Sequence, residues 1–365
     1  MKTTSPFAVL LGASLITWAA FVSANDIKHD EYIQFARGIA TLNKDGLVEG
    51  QITAWVYEKE SRPGAKQLFA TFAGFDVEAM SERERSNFDN RTQLFRFDSE
   101  HGKQITLHLS PNKTLTLPAT DSDGITRAQL TLAPLSELSV IQTPGAAPVI
   151  DYHAVLPAND NREFNGQLLL VPETGVSVVS DIDDTIKDSN VRNRTELLNN
   201  TFVRDFRAVA GMAERYGRFA AENTTVRFHY LSSSPHQLYP AIDEFLQGNG
   251  FPVGSLHLRY LDVSDELFGN GDSSRRQKLN TLQQLLQQFP QRRFLLIGDS
   301  GEADPEIYAE TARRFPQQVL AIYIRDVTGE PATAARYRDT FAGLPAGQWQ
   351  IFTEPGSLPA IAPLP

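Results

Sequence analysis

VVSDIDDTIKDSNV, residues 178–191, is the stretch whose reading decides the fold. Apolar and small residues from Gly175 lead into Asp181, and Asp183, Asp184 and Asp188 follow at once. A short run of this kind, preceded by the turn Pro172-Glu173-Thr174-Gly175, predicts a buried strand. Carboxylates this dense repel one another unless something positive sits among them. The strand therefore ends in a site that calls for a cation.

Downstream the pattern repeats. Apolar runs alternate with helix-period segments: GVSVVS, then Phe202 to Glu222, VRFHYL, a helix from about Pro235, and LHLRYL. A helix across Gln277–Gln288, RFLLIG, a helix from Pro305 and VLAIYI complete the series. Such alternation predicts an α/β domain over 173–365, a Rossmann-like parallel sheet with helices on both faces. Chemistry in these sheets gathers beyond the carboxyl ends of the strands. The residues found there are Asp181, Ser232, Asp299 and Asp326.

Upstream the character differs. QITAWVYE (51–58), QLFRFD (93–98), KQITLHLS (103–110), TRAQLTLA (126–133) and GQLLLVP (166–172) read as short strands separated by turns such as Asp121-Ser122-Asp123-Gly124. They predict a β-rich, sandwich-like domain over 25–172 with no defensible chemistry of its own. Lys2, an apolar stretch from Phe7 to Val22 and Val22-Ser23-Ala24 read as a signal peptide cleaved after Ala24, so export to the periplasm or beyond is expected. No other segment reads as membrane-spanning. The chain has 365 residues, a formal net charge of -10 and no cysteine, which excludes disulfides. No long basic run supports nucleic-acid binding.

The candidate chemistry lies in four places. Asp181 can act as a nucleophile toward phosphorus, with Asp183 as a general acid and base on the same pocket. Against this stands a polar turn, or a calcium loop; the latter fails because Thr185 and Ile186 occupy positions that need Asp or Asn and Gly. In FHYLSSSPHQLYP (228–240), Ser232 follows a strand, and a helix N-terminus after Pro235 would suit a phosphoryl oxygen, although a plain N-cap explains the serines equally well. In RFLLIGDSGEADPEIY (293–308), Asp299 and Asp304 would join Asp181 in an oxygen cage fit for Mg²⁺, while Asp304 before Pro305 also suits an N-cap. A side-chain cation is expected from Lys278, with Arg275 and Arg276 as rivals.

In order, DIDDT (181–185), Ser232, Lys278 and GDSGEAD (298–304) resemble the motif set of the haloacid dehalogenase superfamily. SDIDDTI, YLSSSPHQLYP and LIGDSGEADPEIY followed by AIYIRDV are more closely similar to the actin-patch phosphatidate phosphatase family of fungi and its bacterial relatives, over about Val171 to Val327. The resemblance implies a Mg²⁺-dependent phosphomonoester phosphatase without a large cap, with phosphatidate as the leading substrate. By that pattern Asp181 is nucleophile and metal ligand, and Asp183 is acid/base and ligand through its carbonyl. Ser232 and Lys278 hold the phosphoryl group, Asp299 and Asp304 complete the metal shell, and Thr185 steadies the turn. His236 stands where relatives commonly carry Trp. Two other readings are a phosphatase of soluble phosphomonoesters and a non-catalytic exported surface- or carbohydrate-binding protein with a degenerate phosphatase fold. The completeness of the motif set argues against degeneracy. The sequence leaves the oligomeric state and the role of the β-rich part open.

Overall fold

The computed structural model describes residues 26–60, 64–143, 145–260 and 271–361. The expected signal peptide lies outside these residues.

A nine-stranded sheet comes first. It is built from β1 (Glu31–Leu42), β2 (Leu47–Glu58), β3 (Asp98–Ser99), β4 (Thr106–Ser110), β5 (Lys113–Thr116), β6 (Ile125–Pro134), β7 (Val140–Ile141), β8 (Val149–Val155) and β9 (Asn165–Leu170). The order is β3-β2-β1-β9-β8-β4-β5, with β6 on β2 and β7 on β8. Hydrogen bonds thus join these strands into one branched sheet, where the sequence suggested the two sheets of a sandwich. Alternate residues of β1, among them Ile33 and Phe35, point inward as the strand period of two requires. They meet Ile52, Val56, Leu107, Ile150 and Leu168 in a common core.

Two helices interrupt this sheet where only strands were expected. They are α1 (Ala65–Ala73) and α2 (Glu82–Thr92), and a 3₁₀ turn over Gln93–Arg96 replaces most of the expected strand at 93–98. Helix α2 starts in a capping box: Glu84 N–H donates to the Ser81 hydroxyl and Ser81 N–H to the Glu84 carboxylate. The leucine and phenylalanines of QLFRFD mimic strand alternation, yet Phe95 packs on Phe69 of α1 while Leu94 and Phe97 join Trp55 and Tyr57 of β2. Phe69, Phe75 and Phe95 surround Phe202, with ring centroids of 5.5 Å for Phe69–Phe202 and 5.7 Å for Phe95–Phe202, and Phe88 packs on Phe69 and Phe75.

The second sheet contains β10 (Gly175–Asp181), β11 (Arg227–Pro235), β12 (Gly254–Arg259), β13 (Arg292–Asp299), β14 (Val319–Arg325) and β15 (Trp349–Phe352). All its pairings are parallel, in the order β12-β11-β10-β13-β14-β15. Numbered by appearance that is 3-2-1-4-5-6, the doubly wound order, whose switch point lies between β10 and β13. Every residue of β10 is buried, as a central strand requires. One face packs against α3 (Arg194–Phe202), α4 (Met212–Glu222) and α5 (Tyr239–Gly248) through Phe202, Tyr216, Phe219 and Ile242. The other packs against α6 (Gly271–Gln288) and α7 (Asp304–Arg314) through Leu282, Leu286 and Ile307, and α8 (Ala335–Thr340) adds Tyr337.

Three helix expectations need correction. The stretch read as one helix from Phe202 to Glu222 is the end of α3, a connection and α4. No helix starts at Pro235: β11 runs through it, and α5 begins at Tyr239 after a 3₁₀ turn. Asp304 is not an N-cap but the first residue of α7, and its carboxylate makes no capping bond.

Candidate active site

Asp181 ends β10 and Asp299 ends β13, so the switch point of the sheet sets two carboxylates side by side. Gly298 leaves room for a third: a Cβ built there would come within 2.3 Å of the Asp304 carboxylate. Asp181, Asp299 and Asp304 are all buried, each with an oxygen within 4.8 Å of those of the others. Lys278 reaches in from α6 and donates to Asp181 Oδ1 (2.8 Å), Asp304 Oδ1 (2.7 Å) and Glu302 Oε2 (2.9 Å). The rivals are elsewhere, Arg275 pairing with Glu310 and Arg276 standing exposed.

Burial pushes the Asp181 and Asp299 carboxyls well above the usual range, Lys278 only partly countering this and the neighbouring carboxylates adding to it. Burial alone would lower Lys278, but Asp181, Asp304 and Glu302 hold it well above the ordinary lysine value. Asp299 Oδ1 accepts from the N–H groups of Gly301 (2.6 Å) and Glu302 (3.2 Å), while its buried Oδ2 has no hydrogen-bond partner. An orphaned buried carboxylate oxygen facing two more carboxylates is what a hard divalent cation bound by oxygens would satisfy. The donor set fits such an ion.

Asp183 lies apart from this trio. Lys187 Nζ approaches its Oδ1 at 2.8 Å and Ser189 donates to the same oxygen at 2.6 Å. Ser232 and Ser234 both donate to Oδ2 at 3.1 Å. Burial would raise this carboxyl, but Lys187 and these hydroxyls overrule it and bring Asp183 down to about 2. Ser232 therefore faces Asp183 from the end of a strand and does not sit at a helix N-terminus. Thr185 donates to Asp181 Oδ2 at 3.0 Å, steadying that carboxylate.

The turn itself is held by Asp184, whose φ of 54° is left-handed. Its carboxylate accepts the N–H groups of Ser189, Asn190 and Val191, and Arg325 Nη1 donates to its carbonyl at 2.6 Å. Asp326, at another strand end, accepts from Thr328 and Gly329 N–H and organises a turn. Sequence reasoning missed Lys187, Ser189, Ser234 and Glu302. Of these Lys187 carried a usable signal, a lone cation four residues after Asp183.

Beside the site, His236 stacks on Tyr260 at 4.6 Å and meets Trp55 edge-on at 5.0 Å. Trp55, Tyr57 and Phe97 continue the stack at 4.3 and 5.6 Å, so an aromatic column from the first sheet ends on the 3₁₀ turn that follows Ser232 and Ser234 at the end of β11. An imidazole here fills part of the space an indole would fill.

Fold and site together define an α/β protein with a buried acidic pocket, whose donor set fits a divalent cation, at the switch point of a doubly wound parallel sheet. Residues 176–326 match the family model described as the catalytic domain of phosphatidate phosphatase APP1. Phosphatidate phosphatase APP1 of Saccharomyces cerevisiae is 37% identical over 155 residues, covering 41% of this chain and 26% of its own length. An uncharacterized protein of Schizosaccharomyces pombe is 30% identical over 174 residues, 46% of this chain and 28% of that one. The match thus spans little more than a quarter of either relative. A likeness to the solved PilB minor pilin from Streptococcus sanguinis, at 12% identity and a TM-score of 0.25 over 69% of this chain and 84% of that one, supports no argument. Among the described residues, no helix is long and apolar enough to cross a membrane.

Proposed function

We propose that the protein is an exported, Mg²⁺-dependent phosphomonoester phosphatase of haloacid dehalogenase type, working through an aspartyl-phosphate on Asp181, with phosphatidate as its substrate. The observation that carries this reading is the buried trio Asp181, Asp299 and Asp304 around Lys278, with Asp183 beside it, inside the segment that matches the family.

Bound by the trio, the divalent cation would offset the charge of the phosphoryl group and polarise its oxygens. The chain's own groups do the rest. The Asp181 carboxylate attacks phosphorus, and the alcohol oxygen leaves with a proton from Asp183. Water then attacks the aspartyl-phosphate, returns its proton to Asp183 and releases inorganic phosphate and free Asp181. Lys278 and Ser232 hold the transferring group, and Thr185 keeps Asp181 aimed. Asp183 rests ionised against Lys187, so it takes up its proton when the substrate's negative charge arrives and raises its proton affinity. Phosphatidate is preferred because the relative's name specifies it and, among the described residues, no large insertion interrupts the second sheet.

The test is a panel assay of the purified protein with Mg²⁺, including phosphatidate in mixed micelles, nucleotides and sugar phosphates. Asp181→Asn should abolish turnover on every substrate, and EDTA should do the same reversibly. Wild-type turnover in Asp181→Asn rules out the aspartyl-phosphate. The lipid assignment requires kcat/KM on phosphatidate at least about tenfold above the soluble esters, roughly 1.4 kcal/mol of transition-state preference. N-terminal sequencing from the native host tests export.

A further inference from the structure

A second cavity, of about 340 Å³, lies where β1, β2 and β6 of the first sheet meet β12 and α6 of the second. That is room for about ten waters. Its lining includes Arg37, Arg127, Arg259 and His257, and among the described residues it holds no carboxylate. Three guanidinium groups thus converge on one concavity, two of them with a carboxylate partner outside its lining. Arg37 is answered from behind by Asp243 at 2.9 Å, and Arg259 Nη1 donates to Ser273 at 3.3 Å. Arg127 lies over the Tyr260 ring at 4.3 Å, and its Asp121 partner is 3.9 Å away at the surface.

A buried chain of hydrogen bonds makes His257 a donor too. Arg292 Nε donates to Ser177 Oγ at 2.9 Å, which leaves the Ser177 proton for His229 Nε2 at 3.1 Å. His229 Nδ1–H then donates to Ser255 Oγ at 2.7 Å, and Ser255 passes its own proton to His257 Nε2 at 2.8 Å. This is the assignment that gives each serine hydroxyl proton an acceptor. It leaves the His257 proton on Nδ1. Burial lowers the His257 ring to about 4, so it is neutral at physiological pH and keeps that tautomer.

We propose that this cavity binds a small organic phosphate, at a site separate from the carboxylate pocket. Guanidinium groups match phosphate oxygens bidentately, and the volume exceeds what a bare ion would fill. The inference goes beyond the phosphatase reading and does not depend on it. The two sites share α6, which puts Gln277 in this wall and Lys278 in the other pocket.

The test is calorimetric titration of the full chain with glycerol 3-phosphate, inorganic phosphate and glycerol, each with Mg²⁺ and with EDTA. The expected result is one saturable equivalent of glycerol 3-phosphate that persists in EDTA and weakens at least tenfold in Arg127→Gln and in Gln277→Glu. The Arg127 side chain is 47% exposed, so its replacement leaves the fold in place. Arg127→Gln should also keep wild-type Mg²⁺-dependent turnover of p-nitrophenyl phosphate, which reads the other pocket separately. Absence of binding in EDTA, or binding that both variants leave intact, overturns the proposal. Equal affinity for inorganic phosphate overturns its organic part.

Discussion

Replacing Lys278 by Met would remove the one ammonium bonded to Asp181, Asp304 and Glu302 at 2.8, 2.7 and 2.9 Å, while the methionine filled most of the space. Stripping a buried charge cluster of its partner costs about 3–5 kcal/mol. For a domain of this size each kcal/mol moves Tm by about 2–4 °C, so Lys278→Met in EDTA should melt roughly 6–20 °C below wild type. The loss should depend on pH. Carboxyls whose folded pKa lies above the unfolded value, as for Asp181 and Asp299, contribute stability that is full below the unfolded value near about 4 and lost as pH rises through the folded value. The variant should therefore suffer more at pH 8 than at pH 5. With saturating Mg²⁺ the deficit should shrink by at least half, because bound cation restores the missing charge. Thermal unfolding followed by circular dichroism, with and without EDTA across that pH range, measures all three effects. A loss equal in EDTA and Mg²⁺ and flat with pH would refute the reasoning and reduce Lys278 to its packing.

Lys187→Met should release Asp183 from its ion pair and raise its pKa from about 2, moving the acid limb of the kcat–pH profile upward by on the order of one unit. His236 is held at about 3 by burial, a depressed value, so its contribution is present at neutral pH and drains away as pH falls from about 6.5 toward 3. His236→Phe should recover about 3 kcal/mol at pH 4.5 and almost nothing at pH 8, read as denaturant midpoints. Phe88→Ala, at a fully buried ring against Phe69 and Phe75, which in turn pack on Phe202 of α3, should cost about 3–5 kcal/mol and lower activity by loosening the helix that follows the Asp184 turn. Unchanged midpoints would show that α1 and α2 are ornamental.

The parallel sheet was legible because each central strand is a run of apolar residues too short for a helix and ends in a charged or hydroxyl group. Asp181 and Asp299 could be picked out for the same reason. Asp184 and Glu302 could not, because their roles depend on bonds closed by a left-handed turn and by Lys278 of α6, approaching from far along the chain. The α1–α2 insertion escaped since α2 is polar on most of its surface and buries only Phe88 and Thr92. Its one plain signal was Ser81-x-x-Glu84. The serines of β11 were misplaced because Pro235 looks the same at a strand end as at a helix start.

The ring of phenylalanines around Phe202 has a consequence for how the chain comes apart. Ala70 and Phe88, from the insertion in the first sheet, belong to the same hydrophobic core as Val178, Met212 and Ile242 of the second. Asn87 and Arg91 further fasten α2 to the carbonyls of Val203 and Arg204. Cutting the chain between Leu170 and Gly175, where the backbone passes from one sheet to the next, would leave each fragment with half a core and a greasy scar. The two sheets should therefore melt in a single calorimetric transition. Limited proteolysis should find no cleavage between them that yields a soluble catalytic fragment.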